Sequence, residues 1–271
     1  MPGKTRTIGY VRLVFDSAEQ ETADLIGGAC AEALRLIQDN WGLEAPRDCR
    51  IYVMTSWLGF FFRSAPWSWR TLLGVTLPIW SFRARRMWPY SAAWTQRYGG
   101  RVAIGVKPPR LLEQSDRRFG VRMFVQEKDM KTNVRHVTCH ELVHACSAHL
   151  QLPAWLTEGI ATITVDRFLD RRTIQTETLN LVRSFQPKSA PATYRELSRM
   201  SGEAFVYHAV RGYWLVGYLE ARSPGFLQRL FSQGCDSRAI TREMALELGL
   251  EPANFWREID DLVVDHFEAR S

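Results

Sequence analysis

Cysteine is sparse and unpatterned in this chain: Cys30, Cys49, Cys139, Cys146 and Cys235 are scattered over 271 residues with no CxxC pair. That spacing excludes a disulfide framework and a thiolate metal site built on paired cysteines, and Cys139 and Cys146 read as small buried packing residues. No stretch reaches the roughly 18 apolar residues that a membrane span requires. No apolar signal core follows the opening Met1-Pro2-Gly3-Lys4-Thr5-Arg6. Reduced thiols and no export signal predict a cytoplasmic protein. Internal repeats, low-complexity tracts and recognised nucleic-acid motifs are also missing, so no nucleic-acid partner is expected. With 46% hydrophobic and 24% charged residues, the chain is long enough and apolar enough to bury a substantial core.

Acidic residues are missing over one long interval. Between Cys49 and Leu112 there is no Asp or Glu, while nine arginines and Lys107 give ten positive charges. The whole chain carries 35 basic and 29 acidic residues, so everything outside the interval sums to 25 minus 29, or −4. The interval also holds Trp57, Trp67, Trp69, Trp80, Trp88 and Trp94, six of the 10 tryptophans, together with Phe60-Phe61-Phe62. Two readings fit an Arg/Trp-rich insertion at about 57–98. One is an element packed over a catalytic cleft, with tryptophans buried and arginines on the surface. The other is a peripheral contact of residues 57–94 with an anionic membrane, where indoles sit among headgroups and arginines meet phosphates. A single nucleic-acid strand is a weaker third candidate.

Histidine is also scarce, at 6 residues, yet two of them fall in the run His140-Glu141-Leu142-Val143-His144. Residues four apart on a helix share a face and are separated by about 6 Å along the axis, so both imidazoles can converge on one metal ion. Glu141 is rotated by about 100° from His140, which places its carboxylate beside the metal as a general base for water. The surrounding residues predict a helix over 133–150, capped by Thr132 or Asn133, with an apolar stripe of Val134, Val137, Leu142, Val143, Ala145, Cys146 and Leu150. A catalytic zinc wants a third protein ligand and an open position. After a turn at Gln151-Leu152-Pro153, a second helix returning antiparallel brings residue 158 level with His144, about 7.5 Å from its own start, so Glu158 is the candidate. The rival His136 lies on the same helix face, but three ligands stacked on one helix span about 12 Å, too far for bonds near 2 Å to one ion. His136 and His149 are assigned to solvent-facing, supporting or capping roles.

The HELVH run followed by Pro153-Ala154-Trp155-Leu156-Thr157-Glu158-Gly159-Ile160-Ala161 resembles the gluzincin metallopeptidases, in particular the bacterial group called peptidase MA-like. The likeness extends more weakly to a helix over 203–221 and to Leu246-Glu247-Leu248-Gly249-Leu250 through Phe255-Trp256, about residues 100 to 265 in all. It implies one Zn2+ ion held by His140, His144 and Glu158, Glu141 as catalytic base, and a peptide or protein substrate. It also implies a zincin-like α+β domain occupying residues 1–271, with an N-terminal mixed sheet-and-helix lobe, a C-terminal helical lobe and the metal helix between them. Family analogy points to Tyr207 as donor to the tetrahedral oxyanion, with Tyr213 on a different side of its helix. Two departures stand out: Thr162 occupies the position where many gluzincins have an aspartate steadying the first histidine, and only 13 residues separate His144 from Glu158. The alternative to a peptidase is a catalytically silent zinc-containing module that binds a membrane surface or protein partner through the Arg/Trp-rich segment.

The remaining pattern predicts strands at 8–16, 51–54, 102–106 and 121–125, the last an edge strand lining the cleft. A Ser17/Gln20 capping box opens a helix through about Asn40, with Ile26, Ala29, Cys30, Ala33, Ile37 and Trp41 facing the core. After Glu158 the chain reads as helical, with a looser connection at 186–191.

Overall fold

The computed structural model describes residues 3–118, 123–184, 196, 202–234 and 239–269; Val121, Arg122, Cys235 and the 186–191 connection lie outside them. The fold is mixed α+β and divides into two compact units. The first comprises Met1–Leu36, Glu44–Arg122 and Gln126–Cys146, the second Ile37–Leu43, Met123–Val125 and Ser147–Ser271.

The first unit is built on a five-stranded mixed sheet of order β1-β2-β3-β5-β4, with β1 Lys4–Ile8, β2 Val11–Phe15, β3 Asp48–Val53, β4 Ala93–Tyr98 and β5 Arg101–Val106. The expected strand at 8–16 is a hairpin. Gly9 adopts a φ of 56°, which suits a two-residue turn, and β1 pairs antiparallel with β2 around it. The Val11, Leu13 and Phe15 side chains are buried while Arg12 points out, the alternation of a strand with one face on the core. β2, β3 and β5 run parallel, and β4 returns antiparallel to β5 through Gly99-Gly100. The helix α1, Gln20–Trp41, makes the β2-to-β3 crossover. Its six predicted core residues are all fully buried. The capping box is replaced by a 3-10 turn, Ser17–Glu19, entered at Asp16, because the Gln20 amide is drawn to Asp24 and the Asp16 carboxylate accepts from Arg63.

Register separates the two faces of this sheet. Leu13, Ile51, Ile104 and Thr95 are successive partners across β2, β3, β5 and β4 and so share one face. The next row, Val14, Tyr52, Gly105 and Trp94, lies on the other. On that second face sit the helices of the Arg/Trp interval, α2 (Trp57–Ser64) and α3 (Trp67–Met87). Phe60, Phe61, Leu73 and Trp88 pack there with Tyr52, Trp94 and Tyr98. Edge-on ring contacts join Phe61 to Trp80 and Trp88 to Trp94. At Gly105 a side chain would collide with Met54 and Phe60, so glycine lets α2 approach the sheet. Four free cysteines, Cys30, Cys49, Cys139 and Cys146, are buried, and burial pushes the thiols of Cys30, Cys49 and Cys139 up to about 12, as packing residues require. α4, Pro109–Arg118, and α5, Met130–Ser147, complete the unit, apart from the last residue of α5.

The second unit is helical: α6 Ala154–Leu169, α7 Thr178–Ser184, α8 Gly202–Arg222, α9 Phe226–Ser232, α10 Ile240–Glu247 and α11 Phe255–Glu268. The strand expected at 121–125 is not an edge of the main sheet where it is described. Phe124 instead bridges Ile174, with Val125 N–H donating to the Thr173 carbonyl at 2.7 Å and Gln175 N–H to that of Met123 at 2.9 Å. α6 and α8 meet backbone to backbone: a Cβ on Gly159 would overlap the Gly212 carbonyl, and one on Gly212 the Trp155 carbonyl. Beside that crossing, Arg211 Nε donates to Asp260 Oδ1 at 2.8 Å with both side chains 2% exposed, and the guanidinium lies 5.0 Å from the Trp256 ring centroid. Such a pair is costly to break by halves, at about 3–5 kcal/mol. No helix among the described residues is long and apolar enough to cross a membrane.

Gly212→Ala is expected to lower unfolding free energy by about 1–3 kcal/mol through overpacking. Gly28→Ala, in open space on α1, is expected to raise it by about 0.5–1 kcal/mol through lost chain entropy. Urea unfolding of both variants checks the contrast; a neutral Gly212→Ala would remove the close-crossing argument.

Candidate metal centre

α5 starts three residues earlier than its sequence pattern suggests because Asp129, not Thr132 or Asn133, caps it. Its carboxylate accepts from Lys131 N–H at 3.0 Å, Thr132 N–H at 3.2 Å and the Thr132 hydroxyl at 2.9 Å. This satisfies donors that the helix itself leaves without partners. The buried side is Val134, Thr138, Cys139, Leu142, Val143 and Cys146, and the half-buried side carries His140, Glu141 and His144. α5 ends at Ser147, and Gln151, with a φ of 51°, helps turn the chain toward Pro153 and α6.

His140 Nε2 and His144 Nε2 stand 2.9 Å apart, one ring donating and the other accepting. Together with Glu141 they form a group whose possible ligand atoms all lie within 4.8 Å of one another. The residues fit a single ion. Two bonds of about 2.0–2.1 Å at a tetrahedral angle put the donor nitrogens about 3.3 Å apart, a separation reached by slight rotation of either ring. Imidazole nitrogen beside carboxylate oxygen is also a donor set suited to zinc.

Glu141 is held from the sheet. The Thr95 hydroxyl on β4 donates to Glu141 Oε2 at 2.5 Å, ending the row Leu13, Ile51, Ile104, Thr95. Thr95 was not singled out by sequence, although the run Ala93–Tyr98 followed by Gly99-Gly100 carries a hairpin signature that would have placed it on a strand. Within the first unit the strand beside Glu141 is therefore β4, outermost in the sheet. The Arg/Trp helices pack on the opposite face of the sheet from Thr95, so the expectation of an insertion laid over the cleft is corrected. Register is the cause: Trp94 and Tyr98, which anchor those helices, alternate with Thr95.

Glu158 stands on α6 in the second unit, half-buried, and the three-residue group does not include it. Its carbonyl accepts from the Thr162 hydroxyl at 2.9 Å. His136 is half-buried on α5 and outside the group, and His149 is exposed beyond the end of that helix. Neither tyrosine suits the oxyanion role in this geometry. Tyr207 is 1% exposed and its hydroxyl faces Asp260 at 3.5 Å. Tyr213 donates to Asp166 at 2.7 Å, and that carboxylate also accepts from the Thr173 N–H and hydroxyl. Burial raises the Asp166 carboxyl above its ordinary value, and burial with the nearby Asp166 charge raises the Tyr213 phenol.

No family model matches the chain, and no curated protein does.

The Asp129 carboxyl is held below its ordinary value of 3.8, chiefly by the Lys131 N–H and then the Thr132 hydroxyl. A depressed carboxylate stabilises the fold above its unfolded value, and that contribution is lost as pH falls through the folded one. Asp129→Ala is therefore expected to lower the melting temperature at neutral pH, with the difference closing as pH drops below 3.8. Melts of both proteins across that range check it, and a gap that stays constant would sink the capping assignment.

Proposed function

We propose that the chain is a zinc-dependent peptidase of gluzincin type, with the zincin-like arrangement that this implies. His140, His144 and Glu158 would hold one zinc ion, and Glu141 is the general base. The observation that carries this reading is the convergence of two Nε2 atoms at 2.9 Å on the helix turn that also bears Glu141. When bound, zinc supplies Lewis acidity that polarises a carbonyl and lowers the pKa of water. Glu141 takes the proton from the attacking water and passes it to the leaving amine. Thr95 fixes the direction of that carboxylate through Oε2. β4, outermost in the sheet, offers backbone donors and acceptors next to Glu141, which favours an extended peptide as substrate. The role of Glu158 rests on the Pro153–Ala161 motif and on the antiparallel return that its spacing allows. Buried free thiols suit work in a reducing compartment such as the cytoplasm.

Purified protein is expected to hold about one zinc per chain and to cleave a quenched fluorescent peptide library. Glu141→Gln should keep the metal and lose activity by at least about a hundredfold. Zinc content that Glu158→Ala leaves unchanged would remove that residue from the ligand set. Thr95→Val is expected to lower kcat about tenfold with zinc content intact, a split that a merely structural threonine would not produce. Full zinc loading with no cleavage of any library peptide would overturn the peptidase reading in favour of a silent metal-containing module.

A further inference from the structure

We propose that the outer face of α3 docks on an anionic lipid surface, the helix lying within the headgroup layer. Leu72, Val75, Ile79 and Phe82 are 52%, 76%, 82% and 74% exposed. Their steps of three, four and three residues confine them to about 80° of the helix circumference and about 15 Å of its length. Single exposed apolar residues are ordinary, but a continuous stripe of four large ones marks an interaction surface. The stripe is not left over from core packing. The inner side of α3 already packs through Leu73, Trp80, Ala84 and Trp88.

Charge identifies the occupant. Arg85 and Arg86 are exposed at the C-terminal end of the stripe, and among the described residues no carboxylate pairs with either. Nothing acidic lies between Cys49 and Leu112. Arg70 is not counted, because its guanidinium holds the carbonyls of Ala65 and Arg63 at the end of α2. Trp67, 80% exposed, stands at the other end, and tryptophan and arginine are the residues that settle at headgroup level. An apolar stripe flanked by indole and guanidinium matches acyl chains beneath phosphates. Because no described helix can cross a bilayer, α3 lies flat. The docking face belongs to the side of the sheet opposite Thr95, so the inference stands apart from the peptidase reading.

The test is sedimentation of the full chain with vesicles of phosphatidylcholine, with and without phosphatidylglycerol. Binding is expected to the mixed vesicles and to weaken in high salt. Val75→Glu with Ile79→Glu should lower partitioning at least about tenfold with the melting temperature unchanged, since both residues are exposed. Arg85→Ala and Arg86→Ala should each lower it about fivefold. Tyr10→Glu, at an equally exposed residue on the β1–β2 turn, should change nothing. Failure of the wild-type chain to sediment, or full binding by the Val75/Ile79 variant, would overturn the proposal. So would a lipid-free molar mass that halves in that variant, because the stripe would then be covered by a second copy of the chain.

Discussion

A hydroxyl on the outermost strand of the sheet, Thr95, bonded to the carboxylate of Glu141, is the contact that orients the first unit's His-Glu-His group. A helix packed on a sheet through apolar residues alone is held in place more firmly than it is held in rotation. Leu142, Val143 and Cys146 fix which side of α5 is buried, but they say little about where a carboxylate at its margin points. The Thr95 bond supplies that direction. Once Glu141 is pinned, His140 and His144 follow at fixed rotations of the same helix. The four-strand row that ends at Thr95 thus sets the phase of all three side chains.

In the second unit most residues around Glu158 are accounted for by packing. Trp155, Leu156, Ile160 and Ala161 are buried, with Trp155 edge-on to Trp256. Gly159 is required because α8 passes too close for a side chain. Thr157 and Thr162 spend their hydroxyls on carbonyls of their own helix. Glu158 is the charged residue among them, half-buried on the same helix. Packing thus accounts physically for most of the motif surrounding it.

Much of this was legible in the sequence where periodicity and burial agree. The α1 stripe from Ile26 to Trp41 was legible residue for residue; β5 was legible to within a residue, β3 only over 51–53, its first three residues having no apolar run, and α6 starts directly after Pro153. The clustering of His140, Glu141 and His144 follows from a four-residue step on a helix, which tertiary structure can hardly disturb. What escaped depended on partners distant in sequence. The α5 cap at Asp129 was missed because threonine and asparagine nearby are equally good cappers. The described part of the 121–125 stretch pairs with 173–175, a partner that composition does not identify. Thr95 needed the register of β4 against β5. The commitment of Tyr213 to Asp166 needed the α6–α8 crossing.

The Arg/Trp interval divides between residues that pack and residues that face outward. Its tryptophans do pack: Trp57, Trp80, Trp88 and Trp94 join an aromatic layer with Phe61, as a buried insertion requires. They do so on the sheet face away from Glu141, so covering that residue is not what the layer achieves. Having anchored α3 from within, the layer leaves the helix's outer side free of any duty to the fold. Polar residues at 72, 75, 79 and 82 would cost the first unit little packing and would gain favourable hydration. Four large apolar side chains stand there instead, at the period of the helix and bounded by tryptophan and arginine. The fold does not need that arrangement and water disfavours it, which is the physical ground of the proposed docking on a lipid surface.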